Sequence, residues 1–258
     1  METQTCIVCG KYVNQWIFRK IISDGLAESW KLTKDLRRKF DLRESQFCPL
    51  CGNSQRTRIL ARAIMQKIPF AGTKYFSEWI AKANNSSITI AEINACGKLH
   101  AILTKNSNIK YSEYPSSRLL TRLCNSLKRV PQEDITRLSY PDNSFDLVLH
   151  SEVLEHVPDT EKALRECRRV LKPKGICLFT IPIILTRKTI QCAYVQNTTG
   201  EVIYRKLPSY HGMDNRKDSL VWWEFGYDII KKYNMDIVLY EAEFLTHVLA
   251  IQKNQTKR

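Results

Sequence analysis

Four of the nine cysteines stand in two pairs, Cys6-Ile7-Val8-Cys9-Gly10 and Cys48-Pro49-Leu50-Cys51-Gly52. Two residues between thiolates let one tight turn aim both sulfurs at a single ion, and the glycine after each pair suits the backbone angles such a turn needs. Four thiolates complete a closed tetrahedral shell, so Cys6, Cys9, Cys48 and Cys51 are expected to hold a structural Zn²⁺. A redox dithiol is the competing reading, but neither pair lies beside a strand–helix–strand pattern. The remaining cysteines are scattered and the total is odd. Met1–Gly10 carries no apolar leader, so reduced thiols and a cytoplasmic protein are expected.

A second set of chemistry-bearing residues falls at the ends of apolar runs. Ile88–Ile93 (ITIAEI) reads as a strand containing Glu92, and Asn94-Ala95-Cys96-Gly97-Lys98 follows as a turn with one glycine. Ile109–Tyr114 is a second strand whose Glu113 lies about twenty residues beyond Glu92, where a carboxylate can accept the ribose hydroxyls of a nucleoside cofactor. Asp134 and Ile135 follow a third strand. Asp146–Ser151 (DLVLHS) is entered from the polar turn Pro141–Ser144, as a buried parallel strand is. It delivers His150, Ser151 and Glu152 to the carboxyl edge of the sheet, where open α/β folds bind ligands. Thr160 can cap the next helix, with Leu164, Cys167 and Leu171 on one face. Lys172-Pro173-Lys174-Gly175 stops it, and Ile176–Ile183 is again a strand.

Three segments stand in register with one family: Asp134-Ile135-Thr136-Arg137-Leu138-Ser139-Tyr140-Pro141-Asp142-Asn143-Ser144-Phe145-Asp146, Glu152-Val153-Leu154-Glu155-His156-Val157, and Arg169-Val170-Leu171-Lys172-Pro173-Lys174-Gly175. Together they resemble the class I S-adenosylmethionine-dependent methyltransferases. The resemblance implies a Rossmann-like α/β fold with a seven-stranded, mostly parallel sheet and an antiparallel last strand. It implies S-adenosylmethionine as cofactor, with Glu92 in the family's acidic position and Asn94 and Gly97 in its turn. Glu113 would take the ribose, Asp134 the adenine amino group, and Ile135 the ring, with His150, Ser151 and Glu152 completing the edge. His156 is read as a packing residue. Ser139, Tyr140 and the glycine-poor turn depart from the family pattern; Asn94 tolerates the left-handed conformation a glycine would otherwise supply.

Residues 1–81 are expected to form the zinc-binding module and residues 82–258 the methyltransferase domain. Helical segments are expected around Trp16–Ile22 and Leu32–Phe40. Gln55–Lys67 should be a helix with Ile59, Leu60, Ala63 and Ile64 inward and Arg56, Arg58 and Arg62 outward. The two cysteine pairs and this arginine-rich helix resemble the front end of a bacterial methyltransferase subgroup. Arg118–Leu127 reads as a helix too. A formal charge of +14 admits an acidic partner, RNA or an anionic glycan among them, or simply a basic soluble surface.

After Pro182 the chain should form a hairpin over Gly200–Lys206, a helix over Glu224–Tyr233, and an antiparallel pair from Ile237–Tyr240 and Leu245–Gln252. Tyr210-His211-Gly212 and Trp222-Trp223-Glu224-Phe225-Gly226 resemble segments of the same subgroup. His211 and Tyr210 are the candidate catalytic residues and Trp222 the candidate acceptor contact; the competing reading makes the aromatics core and His211 a loop residue. The expected activity is methyl transfer to an oxygen or nitrogen of a small-molecule or glycan-type acceptor. The alternatives are an RNA methyltransferase gripping nucleic acid with its basic zinc module, and a non-catalytic scaffold that has lost the cofactor.

Overall fold

The computed structural model describes residues 4–115, 126–127, 130–210 and 219–253. Its centre is a six-stranded sheet built from β3 (Ile90–Ile93), β4 (Ile109–Ser112), β5 (Phe145–Ser151), β6 (Leu171–Thr180), β12 (Asp236–Glu241) and β13 (Thr246–Gln252). The strand order is β12-β13-β6-β5-β3-β4; β4, β3, β5 and β6 run parallel, and β13 is antiparallel to both neighbours. The chain goes outward from β3 to β4 and returns to β5 on the other side of β3. The carboxyl ends of β3 and β5 therefore flank the point at which the strand order reverses.

Among the described residues six strands form the main sheet, where the resemblance implies seven. At the place of the third strand there is one parallel bridge, Glu113 to Gln132, with Glu113 N donating to Pro131 O at 3.0 Å and Glu133 N to Glu113 O at 2.9 Å. Pro131 has no N–H to extend the ladder. The expected helix over 118–127 lies outside the described residues except for Ser126 and Leu127.

Both faces of the sheet are covered. On one side lie α3 (Gln55–Lys67) and α4 (Phe76–Asn84), whose Leu60, Ile64, Phe76 and Trp79 form one apolar cluster with Ile90, Leu147, Leu149, Leu178 and Val248. The core thus runs through residue 81 without interruption. Helix α5 (His100–Leu103) is a short turn on this side. On the other face α6 (Thr160–Val170) presents Ala163, Leu164, Cys167 and Val170, followed by α7 (Ile229–Lys232). Asp159, rather than Thr160, caps α6, accepting from Lys162 N at 2.9 Å.

The N-terminal region opens with β1 (Gln4–Thr5) paired to β2 (Tyr12–Val13), then α1 (Asp24–Ser29) and α2 (Lys34–Ser45), capped by Ser23 and Thr33. Trp16–Ile22 is extended rather than helical: Ile17 and Phe47 exchange backbone hydrogen bonds at 3.0 and 2.8 Å. Asp41 draws the segment in by accepting from Ile21 N and Ile22 N, both at 2.8 Å. Helices α1 and α2 pack through Trp30 and Phe40 on Ile184 and Leu245, which brings them over the carboxyl edge of the sheet.

Between β6 and β12 the chain builds a three-stranded sheet, β7 (Ile183–Ile184), β11 (Trp223–Gly226) and β8 (Ile190–Gln191), in the order β7-β11-β8, and a hairpin of β9 (Ala193–Val195) with β10 (Val202–Tyr204). The segment 224–226 is therefore strand, not the expected helix; only Ile229–Lys232 is helical. Gly226 explains part of this. A Cβ there would lie 2.1 Å from Arg187 O and 2.4 Å from Lys188 C, so the strand can close only with glycine.

Candidate functional site

The two cysteine pairs adopt the same turn. Gly10 N donates to Cys6 O at 2.9 Å and Gly52 N to Cys48 O at 2.8 Å, with Gly10 at φ 71° and Gly52 at φ 68°. The turns converge: Cys6 Sγ is 3.8 Å from Cys51 Sγ, Cys9 Sγ is 3.9 Å from Cys48 Sγ, and all four sulfurs lie within 4.8 Å of one another. A tetrahedron with Zn–S bonds of about 2.3 Å has edges of about 3.8 Å, so the donor set fits a closed zinc shell. Cys6 and Cys48 are fully buried, and Asn53 Nδ2 lies 3.5 Å from Cys51 Sγ. The hydrogen bond from Cys6 holds the Cys51 thiol low.

At the carboxyl edge of the main sheet three acidic residues behave differently. Glu92 is fully buried with both oxygens committed, Oε1 to Cys96 N at 2.8 Å and Oε2 to His100 Nδ1 at 2.7 Å. It buttresses the turn that follows β3. That turn forms as its composition permits, with Asn94 at φ 58° and Gly97 at φ 58°. Asn94 Oδ1 also accepts from Tyr114 N at 2.8 Å, tying the turn to the end of β4.

Glu113 and Asp134 are each half committed. Glu113 Oε1 accepts from the Tyr111 hydroxyl and from Ala95 N, the latter at 3.4 Å, and burial together with Glu113 pushes the Tyr111 phenol up. Asp134 Oδ1 accepts from Thr136 N and Thr136 Oγ1, both at 2.8 Å. The second oxygen of each carboxylate has no partner among the described residues and is not sealed from solvent. One oxygen orients each group and the other is left for a ligand's donors, which suits the hydroxyls and amino group of a nucleoside. Ile135, next to Asp134, is buried in the apolar cluster under the edge.

At the end of β5, Ser151 Oγ lies 2.7 Å from Thr180 Oγ1. Glu152 takes φ 57°, a left-handed conformation unusual for a side-chain-bearing residue and found at functional edges. Two arginines that the sequence analysis placed outward or did not single out complete this edge. Arg43 of α2 forks onto Glu152 and also donates from Nη2 to Ile181 O at 3.1 Å. Arg56 of α3 donates from Nε to Glu44 Oε2 at 2.9 Å and from Nη1 to Ser151 Oγ. Burial opposes ionisation of Glu152, but Arg43 and Arg56 override it and hold the carboxyl well below its usual range. The neighbouring Glu155 goes the other way: burial, reinforced by the charge of Glu152, pushes it well up.

Arg58 is also turned inward, its guanidinium 3.6 Å from the Trp16 ring centroid and Nη2 bonded to Gln46 Oε1 at 2.9 Å. Of the three α3 arginines expected outward, Arg62 alone is substantially exposed, and it pairs with Glu241. His150 does not face the cleft. Alternation along β5 puts it on the α6 side, fully buried, stacked on Phe179 at 4.6 Å and grouped with Cys167 and Cys177. Sequence spacing could have shown this, since Val148 and His150 share a face.

On the far wall, Trp222 is half-buried and its backbone N–H donates to Glu155 O at 2.8 Å, which ties it to the turn that follows β5. Phe225 is core and Trp223 packs against the apolar cluster next to it. Tyr210 bridges to Leu220. His156 is mostly buried, its Nδ1 3.1 Å from Leu220 O, and burial pulls it down. His211 lies outside the described residues.

A mostly parallel sheet with a strand-order reversal, and oriented carboxylates along its carboxyl edge, is the arrangement at which open α/β folds bind ligands. The profile of the methyltransferase-domain family (Methyltransf_11) matches residues 51–179, half of the chain, and the chain belongs to that family. Its mostly parallel sheet is the Rossmann-like sheet of the class I methyltransferase fold. The chain is 35% identical over 118 residues to a ubiquinone/menaquinone biosynthesis C-methyltransferase of Pasteurella multocida, covering 40% of this chain and 44% of that protein. It is 48% identical over 54 residues to a sterol 24-C-methyltransferase of Gibberella zeae, covering 21% and 14%. Among solved structures the PH0226 protein of Pyrococcus horikoshii aligns over 75% of this chain and 91% of its own, at 14% identity and a TM-score of 0.43. The chain spans less than half the length of the curated relatives it matches. No helix among the described residues is long and apolar enough to cross a membrane.

Proposed function

We propose that the protein transfers a methyl group from S-adenosylmethionine to an oxygen or nitrogen nucleophile of a small-molecule or glycan-type acceptor. The carrying observation is the half-committed state of Glu113 and Asp134, each with one oxygen oriented by the fold and one without a partner among the described residues. On this reading Glu113 takes the ribose hydroxyls and Asp134 the adenine amino group, with the backbone at Ile135 framing the ring. Asn94 and Gly97 shape the turn, and Ser151 and Glu152 border the reacting end. The cofactor supplies an already activated methyl group, so holding acceptor and donor in line accounts for most of the catalysis. Tyr210, Trp222 and His211 are assigned to the acceptor wall, with His211 as proton acceptor for a hydroxyl or amine. The position of Trp222 beside Glu155 supports that wall, and the quinone and sterol enzymes named above support a small acceptor.

We further propose that Cys6, Cys9, Cys48 and Cys51 hold a structural Zn²⁺ within residues 1–81, whose Arg43 and Arg56 complete the edge of a transfer site otherwise carried by residues 82–258. The sulfur spacing supports the ion. A nucleic-acid acceptor draws no support from α3, because Arg56 and Arg58 face inward. The test is calorimetry with S-adenosylhomocysteine. Glu113→Ala and Asp134→Ala should each weaken binding about ten- to a hundred-fold, the loss of a charge-assisted hydrogen bond. Unchanged affinity in both would sink the assignment.

A further inference from the structure

The insertion between β6 and β12 walls a cavity of about 340 Å³, lined by Ser29, Cys192, Lys206, Leu207, Ser209 and Glu224. Two backbone hydrogen bonds tie that wall to the end of the main sheet. Cys192 N donates to Trp222 O at 2.7 Å, and Trp222 N donates to Glu155 O, in the turn after β5, at 2.8 Å. Ser29 closes the opposite side from the end of α1, which packs with α2 over the carboxyl edge. On the acceptor-wall assignment proposed above, on which this inference rests, the cavity receives part of the methyl acceptor.

The charges there do not balance. Glu224 is 6% exposed, and its Oε2 accepts from both Lys206 Nζ, at 2.6 Å, and Arg187 Nη2. Its Oε1 takes the indole N–H of Trp30 at 3.1 Å. Both oxygens are spent, and two cations share one anion. Donors are left over. Lys206 carries three ammonium hydrogens and makes one side-chain hydrogen bond among the described residues. Arg187 Nε, behind it, is buried without a partner there. Ser29 and Ser209 add hydroxyl-bearing residues to the lining. A cationic guest would meet an excess of like charge, and an apolar one would bury that excess uncompensated; an oxyanion neutralises it and accepts the spare N–H groups. We infer that this cavity binds an anionic group of the acceptor, a carboxylate or a phosphate, with Lys206 as its charged contact. The acceptor class is thereby narrowed to small molecules that carry an oxyanion.

The indole N–H of Trp30, bonded to Glu224, is a reporter inside the site. Its NMR resonance, identified by its absence in Trp30→Phe, is followed while the full chain is titrated at constant ionic strength with inorganic phosphate and, separately, with acetate. At least one anion should shift it saturably; the stronger response tells a phosphorylated acceptor from a carboxylated one. Lys206→Met should weaken that binding about tenfold or more, the loss of a charge-assisted contact. Glu224 keeps Arg187 and Trp30 in this variant, so the fold should hold, and unchanged S-adenosylhomocysteine affinity checks that it does. Lys206→Arg, which keeps the charge, should retain binding. Lys105→Met removes the same charge from an exposed position elsewhere and should change nothing. No saturable shift with either anion would overturn the inference, as would equal weakening in Lys206→Met and Lys105→Met, which would assign the binding to net charge. If the chain binds no S-adenosylhomocysteine, the cofactor reading falls, while the Trp30 response still decides the anion site.

Discussion

Arg43 and Glu152, 109 residues apart in the chain, are joined by a fork of two hydrogen bonds, Nη2 to Oε1 at 2.8 Å and Nη1 to Oε2 at 3.2 Å. Arg43 is 1% exposed, so the pair fastens α2 to the carboxyl end of β5 from inside the protein. Removing one partner of such a pair leaves a buried charge uncompensated. Arg43→Met or Glu152→Gln should each cost about 3–5 kcal/mol in urea unfolding, and the double variant less than the sum of the two. Single losses below about 1 kcal/mol would show that the pair does not hold the region in place.

The sulfur cluster should bring one zinc ion per chain through purification. Cys48→Ser should release it and lower the unfolding temperature, because binding free energy at a closed site is also folding free energy. Elemental analysis without metal, or full thermal stability after chelation, would refute the site.

His247 gives the pH dependence a definite sign. Burial, with the Arg43 charge nearby, pulls its ionisation down to about 4. Between the ordinary histidine value near 6.5 and about 4 the unfolded chain takes up a proton that the fold refuses. Its contribution to stability is therefore present above pH 6.5 and declines as pH falls through this window, by about 3 kcal/mol at the lower end. His247→Phe, which keeps the stack on Tyr240, should flatten stability between pH 6.5 and 4; an unchanged slope would assign the titration elsewhere.

Gly226→Ala should disturb the acceptor-side sheet, since its Cβ would meet the Arg187–Thr189 backbone at 2.1 to 2.6 Å. Overpacking against backbone costs about 1–3 kcal/mol or more. Because the contact lies away from the nucleoside side of the cleft, turnover should fall with S-adenosylhomocysteine affinity retained. Normal turnover would mean that the strand tolerates the shift.

A pocket role and a core role for Trp222 make opposite demands. As an acceptor contact, Trp222→Ala should lose turnover with little change in unfolding; as core it should cost about 3–5 kcal/mol. His211→Asn should likewise lower turnover while cofactor affinity holds, and normal turnover there would return His211 to an ordinary loop residue.

What the sequence determined by itself was everything that local pattern governs. The β5–α6–β6 unit follows from a polar turn, an apolar run and a helix with one buried face, within short separations along the chain. The paired cysteine turns follow from Cys-x-x-Cys-Gly, where glycine suits the positive φ that each turn takes. Asn94 reached its left-handed conformation in a glycine-poor turn for the same local reason. Tertiary structure decided what depends on partners far away in the chain. Arg56 and Arg58 lie on what a helical wheel calls the polar face of α3, but their countercharges and aromatic partner come from α2, β5 and Trp16. Trp223–Gly226 has a helix-compatible pattern and became a strand because β7 and β8 offered it hydrogen bonds on both sides. Periodicity reports which face a residue occupies; whether that face meets water or a buried carboxylate is settled only when the distant segments meet, because burial sets the cost of leaving a charge unpaired.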